Sequence, residues 1–357
     1  MTIPIQNLYF LLVYAWDVLD EAGAADVGAS NVRTPEDLFA KILRNGIRHL
    51  LKRGGLDRSY TGETSDIPGI RGKLEISATI KRKGKGDGRA VCTFDELTHD
   101  VLHNQLLKAT LLRLVRVDRI DHELRRDLSD LLRRFDRVRV IAIRNEAFRQ
   151  VQLHSNNRFY RLLLHVCLIL HRQMLPDPAG ATYRFVEFSQ EQMDVIFQGF
   201  VRNYFAYHQS AYRVRSERFR WQKIIADDSA WSYLPTMLTD VSMESPTRKL
   251  VIETKYYGVT LRRHYRSEDK GRIHSAHLNQ LFAYLQNLAA RDSRTVDGLL
   301  LYAEAEREFC VDFQMFGHTV RIATVNLASS PEEISSRLFA CAKVELPNPA
   351  TLQVSSL

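Results

Sequence analysis

The chain has 357 residues, 45% of them hydrophobic, and a net charge of +8 from 50 basic and 42 acidic side chains. That apolar content excludes large-scale disorder, and the length exceeds what one simple core holds, so two or three domains are expected. The modest basic excess is compatible with a phosphate-rich partner without requiring one. Cys92, Cys167, Cys310 and Cys341 are scattered and form neither a zinc pattern nor a disulfide framework, so a reducing cytoplasm is the expected location. No secretory or membrane segment is expected. Residues 5–18 carry Gln6, Asn7 and Asp17 without a basic leader, and the apolar run 162–170 is too short to span a bilayer.

In chain order, residues 8–19 read as an amphipathic helix with Tyr9, Phe10, Tyr14 and Trp16 as packing residues. Thr34-Pro35-Glu36-Asp37 is a helix start, and the helix runs to about residue 51 before Gly54-Gly55. Residues 66–98 are β-rich. Stretches 74–81 and 89–94 are expected to pair as a hairpin around the basic, glycine-rich tip 83–88. Neither Gly84-Lys85-Gly86-Asp87-Gly88 nor Gly69-Ile70-Arg71-Gly72-Lys73 has P-loop spacing, so the chain is expected to bind no nucleotide itself. Helices follow over 100–117 and 122–135, with arginines interleaved with acids in the manner of a solvated face. A short strand is expected over 137–143 and a helix over 157–174. Residues 175–180, Pro-rich and Gly-ended, form the clearest linker. Beyond it come a strand at 183–188, a helix at 190–207, strands at 298–302, 308–316 and 319–327, and a helix capped by Ser330.

The most informative stretch lies between these. Thr239-Asp240 is followed by the turn Ser245-Pro246-Thr247-Arg248 and a β-branched run that delivers Glu253, Thr254 and Lys255. On a strand Glu253 and Lys255 share one face. If residues 237–243 pair with 249–257, Asp240 lies beside Glu253. Two carboxylates then hold a divalent metal through hard oxygen ligands, with the Thr254 carbonyl as a further oxygen and Lys255 steadying an attacking water. The competing reading is a surface hairpin with scattered charges. The next segment, 274–290, repeats apolar residues at helical spacing and sets Gln280 and Tyr284 one turn apart; alone, it reads equally as an ordinary amphipathic helix. The whole order, acid, turn, Glu-x-Lys strand, basic loop and Gln-x-x-x-Tyr helix, resembles PD-(D/E)XK nucleases of the RecB type.

The resemblance extends over nearly the full chain. Ile3-Pro4-Ile5-Gln6-Asn7-Leu8-Tyr9-Phe10, Ile67-Pro68-Gly69-Ile70-Arg71-Gly72, Tyr183-Arg184-Phe185, Glu253-Thr254-Lys255-Tyr256-Tyr257 and Thr324-Val325-Asn326-Leu327 are collinear with, and similar to, the McrC family, the nuclease subunits of McrBC modification-dependent restriction systems. The resemblance implies an α+β and α/β multidomain fold. Residues 1–175 would be a partner-binding region with a β-hairpin finger at about 71–96 and a helical segment at about 99–174. Residues 181–345 would be a PD-(D/E)XK endonuclease domain, and 346–357 a flexible tail. It implies Mg²⁺ or Mn²⁺ at Asp240, Glu253 and Thr254, and catalytic roles for Asp240, Glu253, Lys255, Gln280 and Tyr284. It implies double-stranded DNA carrying modified cytosine as substrate, and as partner a McrB-like AAA+ GTPase hexamer that binds the GTP. Arg71, Lys73, Lys81, Arg82, Lys83, Lys85 and Arg89 would meet that partner. Arg262, Arg263, His264, Arg266, Lys270 and Arg272 would contact DNA phosphates. Two departures stand out. Thr239 replaces the usual proline, and Asn203 stands where the preceding helix often supplies another acid; either that acid is absent or Glu187 or Glu191 takes its role. A non-catalytic adaptor coupling a ring NTPase to DNA and an RNA-directed nuclease are the alternative functions.

Overall fold

The computed structural model describes residues 3–25, 32, 34–81, 87–176, 182–222, 228–256, 273–303 and 308–345. The chain divides into two units, one formed by residues 1–33 with 187–357 and the other by residues 34–186.

The first unit is built on a six-stranded mixed sheet. From one edge the strands run Cys310–Met315, His318–Val325, Thr295–Ala303, Arg248–Tyr256, Val241–Glu244 and Arg213–Arg215. The central three are mutually parallel and the rest are antiparallel to their neighbours. Strands Arg248–Tyr256 and Thr295–Ala303 are almost wholly buried, as parallel strands covered on both faces must be. One face carries the helix Ser275–Ala289, whose Leu281, Tyr284, Leu285 and Leu288 pack on Val251, Leu300 and Tyr302. Gly298 permits that approach: a Cβ there would meet Leu285 at 2.9 Å and Leu281 at 3.1 Å. The helix Gln190–His208 packs on Arg248–Tyr256 as well. It starts at a Ser189 capping box with Gln192.

The amino-terminal helix Ile5–Ala15 belongs to this unit, although the sequence pattern grouped it with residues 34–175. The reason is aromatic packing. Phe10 meets the Phe200 ring at 5.3 Å, Tyr14 meets Tyr204 at 4.9 Å, and the Tyr14 hydroxyl lies 2.6 Å from His208 Nε2. Asn7 donates to the Leu327 and Ser329 carbonyls at 2.7 and 2.6 Å. A buried ionic cluster sits at the amino end of Arg248–Tyr256. Lys249, 2% exposed, lies 2.6 Å from Glu217 and 3.2 Å from Glu244, and Arg215, Arg291 and Arg294 serve the same acids and Asp292.

The second unit joins the helices Pro35–Arg53, Leu102–Leu114, His122–Leu132 and Tyr160–Gln173 to a three-stranded sheet. The expected hairpin is corrected here. Arg89–Thr98 pairs with Ser59–Pro68 over ten residue pairs and with only Lys73–Leu74 on its other side, while Ile76–Lys81 is helical. Ser59–Pro68 shows no apolar alternation because it is exposed almost throughout, so periodicity does not reveal it. Thr79 fastens the short helix by bonding to Val91 of the ribbon. Residues 137–143 run as irregular chain rather than as the expected strand. Met174–Pro176 pairs with Tyr183–Phe185, so that strand belongs with this unit.

Of the basic residues expected on the finger, Arg71, Lys73 and Arg89 lie on or beside this ribbon and Lys81 ends the short helix. The Arg71 guanidinium lies 4.3 Å from the centre of the Phe94 ring, Lys73 pairs with Glu75, and Arg89 pairs with Asp66. Lys81 is exposed, and Arg82, Lys83 and Lys85 lie outside the described residues. Tyr60 and Ile70 are exposed on or beside the ribbon, and Ile76 and Ile80 on the short helix. Among the described residues no helix is long and apolar enough to cross a membrane. The four cysteines are free.

Candidate active site

The hairpin around Ser245–Arg248 sets the geometry. Val241 pairs with Ile252 at the end of the ladder, so Asp240 stands one residue beyond it, opposite Glu253. Backbone bonds hold that position. Thr239, fully buried, donates its N–H to the Glu217 carbonyl at 3.0 Å, receives the Glu217 N–H on its hydroxyl at 3.0 Å, and bonds to Ser242 at 2.9 Å. These contacts restrain the backbone ahead of Asp240.

Asp240 is held by three donors. Its Oδ2 accepts the Thr254 N–H and hydroxyl, each at 2.8 Å, and its Oδ1 accepts the Gln198 amide at 2.8 Å. Glu253 is fully buried. Its Oε1 accepts Lys255 Nζ at 2.5 Å, and its Oε2 has no hydrogen-bond partner. Burial, then the nearby Asp240 charge, raise the Glu253 carboxyl to about 7 despite Lys255. Burial also raises Asp240, against the Thr254 bonds. For Lys255, burial acts downward, but Glu253, Asp240 and Asp194 together hold the ammonium above its ordinary value, so it stays charged.

Gln280 and Tyr284 come together as expected, the Gln280 amide donating to the Tyr284 hydroxyl at 3.0 Å. Tyr284 is raised first by burial, and the Glu253 and Asp240 charges act on it too, which sets it near the carboxylates.

The helix Gln190–His208 supplies residues that sequence reasoning missed. Asp194 accepts the Tyr256 N–H at 2.8 Å, and its charge acts on Asp240, Glu253 and Lys255. Gln198 lies one turn further on and reaches Asp240. Asn203 follows Asp194 by nine residues, about two and a half turns, and so points to the opposite side; it donates to the Tyr14 carbonyl at 2.8 Å. Glu191 is engaged at the helix start by Ser189, and Glu187 is exposed ahead of the helix. Asp194 is the carboxylate of this helix whose charge reaches Asp240, Glu253 and Lys255. Its spacing of four from Gln198 is the one trace in the sequence, and it does not separate a site from a solvated helix face.

Among the described residues no group of three or more His, Cys, Asp or Glu side chains forms a closed metal cage. The carboxylates of Asp240 and Glu253 instead form an open pair. A buried carboxylate oxygen without a partner is costly unless a cation completes it, and Glu253 Oε2 is such an atom. Mg²⁺ sites characteristically use one or two carboxylates and keep several waters, so the residues fit that ion. The expected phosphate-binding residues Arg262, Arg263, His264, Arg266, Lys270 and Arg272 lie outside the described residues.

A family model described as the McrBC 5-methylcytosine restriction system component matches residues 6–303. The chain belongs to the McrBC family. A McrBC relative from Escherichia coli strain K12, the type IV methyl-directed restriction enzyme EcoKMcrBC, is 28% identical over 327 residues, covering 91% of this chain and 93% of that protein. Among solved McrBC structures, a refined half-complex from the tetradecameric assembly of Thermococcus gammatolerans McrB AAA+ hexamers with bound McrC aligns at a TM-score of 0.57 and 17% identity. It covers 94% of this chain and 74% of the matched chain, and bears on the fold alone.

Proposed function

We propose that this McrBC-family chain is a metal-dependent DNA endonuclease subunit with a PD-(D/E)XK domain in its carboxy-terminal half, working with a McrB-like AAA+ GTPase ring. The observation that carries the proposal is the meeting of Asp240 and Glu253 across the hairpin, with Lys255 on the same strand and Glu253 Oε2 bare and buried.

Asp240, Glu253 and the Thr254 carbonyl would hold Mg²⁺ or Mn²⁺, which polarises a scissile phosphate and acidifies a water. Lys255 is charged and anchored on Glu253, within reach of an attacking water and of charge developing on the phosphate. Gln280 and Tyr284, joined to each other, orient the DNA backbone or the water beside the carboxylates. Asp194 fastens the end of the Glu-x-Lys strand through the Tyr256 N–H. The basic stretch carrying Arg262, Arg263, His264, Arg266, Lys270 and Arg272 supplies sequence-independent phosphate contacts.

The relatives support the partner and the substrate: a methyl-directed restriction enzyme in one case and McrC bound to McrB hexamers in the other. In this reading the ring binds GTP, moves DNA and reads modified cytosine, and this chain meets the ring through Arg71, Lys73, Lys81, Arg82, Lys83, Lys85 and Arg89.

The test is cleavage of methylated plasmid DNA by the chain with its cognate ring, GTP and Mg²⁺. Wild type should cut. Asp240→Ala, Glu253→Ala and Lys255→Ala should each lose roughly a hundred- to thousandfold or more in rate while remaining folded. Full cleavage by Glu253→Ala removes the assignment. Equal cleavage of RNA redirects it to an RNA nuclease, and ring stimulation without any cleavage redirects it to an adaptor.

A further inference from the structure

We infer that Gln198, together with the Thr254 hydroxyl, is a positioning clamp that fixes the rotation of the Asp240 carboxylate and so sets the affinity of the site for its metal. The inference rests on the metal-centre reading of Asp240 and Glu253 and adds residues to it.

The carboxylate torsion of an aspartate is broad and nearly two-fold, so its orientation is set by whatever donates to it rather than by its own rotamer preference. At Asp240 the donors come from two elements. The Gln198 amide on the helix Gln190–His208 takes Oδ1, and the Thr254 hydroxyl and N–H on the strand Arg248–Tyr256 take Oδ2, all at 2.8 Å. Three donors occupy three of the roughly four lone-pair directions of a carboxylate, which leaves one direction for a cation. Glu253 stands in the opposite condition. One oxygen holds Lys255 and the other has no partner. The pair thus combines a carboxylate locked in orientation with one that has an entirely open oxygen. The two Thr254 bonds also favour the ionised form of Asp240 against its burial.

Gln198 itself is held by the helix packed along the strand, whose neighbouring Phe197, Phe200 and Val201 are fully buried. Its amide is therefore delivered by a rigid element rather than by a loop. Outer groups that orient metal ligands typically change metal affinity or activity by about ten- to a hundredfold when removed.

The experiment is isothermal titration of the full-length chain with Mn²⁺, without partner or DNA. Gln198→Met keeps length and bulk and removes the donor; Thr254→Val removes the hydroxyl, and Thr254→Ser restores it. Expected are Mn²⁺ affinities about ten- to a hundredfold weaker for Gln198→Met and Thr254→Val, and near wild type for Thr254→Ser. In the cleavage assay, excess Mn²⁺ should bring Gln198→Met close to the wild-type rate, which a merely disrupted fold would not allow. Thr254→Val tests the clamp independently if Gln198→Met does not fold. Equal affinity of wild type with the folded variants among Gln198→Met and Thr254→Val overturns the clamp and leaves the metal centre standing. A wild-type chain that takes up no Mn²⁺ overturns the metal centre and the clamp with it.

Discussion

Lys249 is a residue whose loss should cost this protein a substantial part of its stability. It lies at the start of the strand that carries Glu253, is 2% exposed, and approaches Glu217 at 2.6 Å, Glu244 at 3.2 Å and Asp292 at 3.7 Å. The Glu217 contact is a close ion pair rather than an aligned hydrogen bond. Removing one partner of a buried pair typically costs about 3–5 kcal/mol, because the other charge stays buried without compensation. In Lys249→Met each acid keeps an arginine: Glu217 keeps Arg291, Glu244 keeps Arg215 at 2.8 Å, and Asp292 keeps Arg294 at 2.7 Å. The loss should therefore sit at the lower end, about 3 kcal/mol. For a unit of roughly 200 residues, each kcal/mol moves Tm by about 2–4 °C, so a fall of about 6–12 °C is expected. Differential scanning calorimetry at neutral pH reads this directly, in the transition of the unit formed by residues 1–33 and 187–357. The lesion is four residues along the strand from Glu253, so the folded variant should still bind Mn²⁺. A Tm within about 1 °C of wild type would show that the cluster is solvated and that Lys249 is not the buried counter-charge it is taken to be here.

Other outcomes follow from the same geometry. Glu253 is held near 7, above its ordinary 4.5, so in the metal-free protein its contribution to stability is complete below about 4.5 and is lost as pH rises to about 7. A proton then competes with the metal, and Mn²⁺ affinity measured by titration should fall about tenfold per pH unit below 7 and level off above it; a flat profile from pH 6 to 8 contradicts this. Gly298→Val should cost about 1–3 kcal/mol, since even a Cβ there meets Leu285 at 2.9 Å, and should lower cleavage by displacing the helix of Gln280 and Tyr284. Deleting residues 81–89 should remove stimulation of the partner's GTP turnover, whereas Asp240→Ala should keep it, because the two lesions lie in different units. Stimulation by the deleted form equal to that of wild type would separate the ribbon from coupling.

The site was partly legible in the sequence, for identifiable reasons. The run Leu250-Val251-Ile252 and the turn ahead of it announce a buried strand after a hairpin, and the observed register sets Asp240 opposite Glu253 as that pattern requires. The helix expected over 274–290 is Ser275–Ala289, because its leucines repeat at helical spacing. Asp194 and Gln198 were not legible as site residues. Two polar side chains one turn apart look the same whether they meet solvent or a carboxylate, and only the packing of the helix Gln190–His208 on the strand decides. The ribbon Ser59–Pro68 was hidden because strands exposed on both faces carry no alternation. The placement of Ile5–Ala15 was hidden because Phe10 and Tyr14 find their partners, Phe200 and Tyr204, about 190 residues away. Local patterns carry no information about contacts at that range.

The central claim is that Asp240 and Glu253 form one metal centre. Anomalous scattering from crystals of the full chain soaked in Mn²⁺ tests it most directly. The account predicts a peak at bonding distance from Glu253 Oε2 and from an Asp240 oxygen, lost in Glu253→Gln crystals. A peak elsewhere, or none while Lys255 remains paired with Glu253, would contradict it.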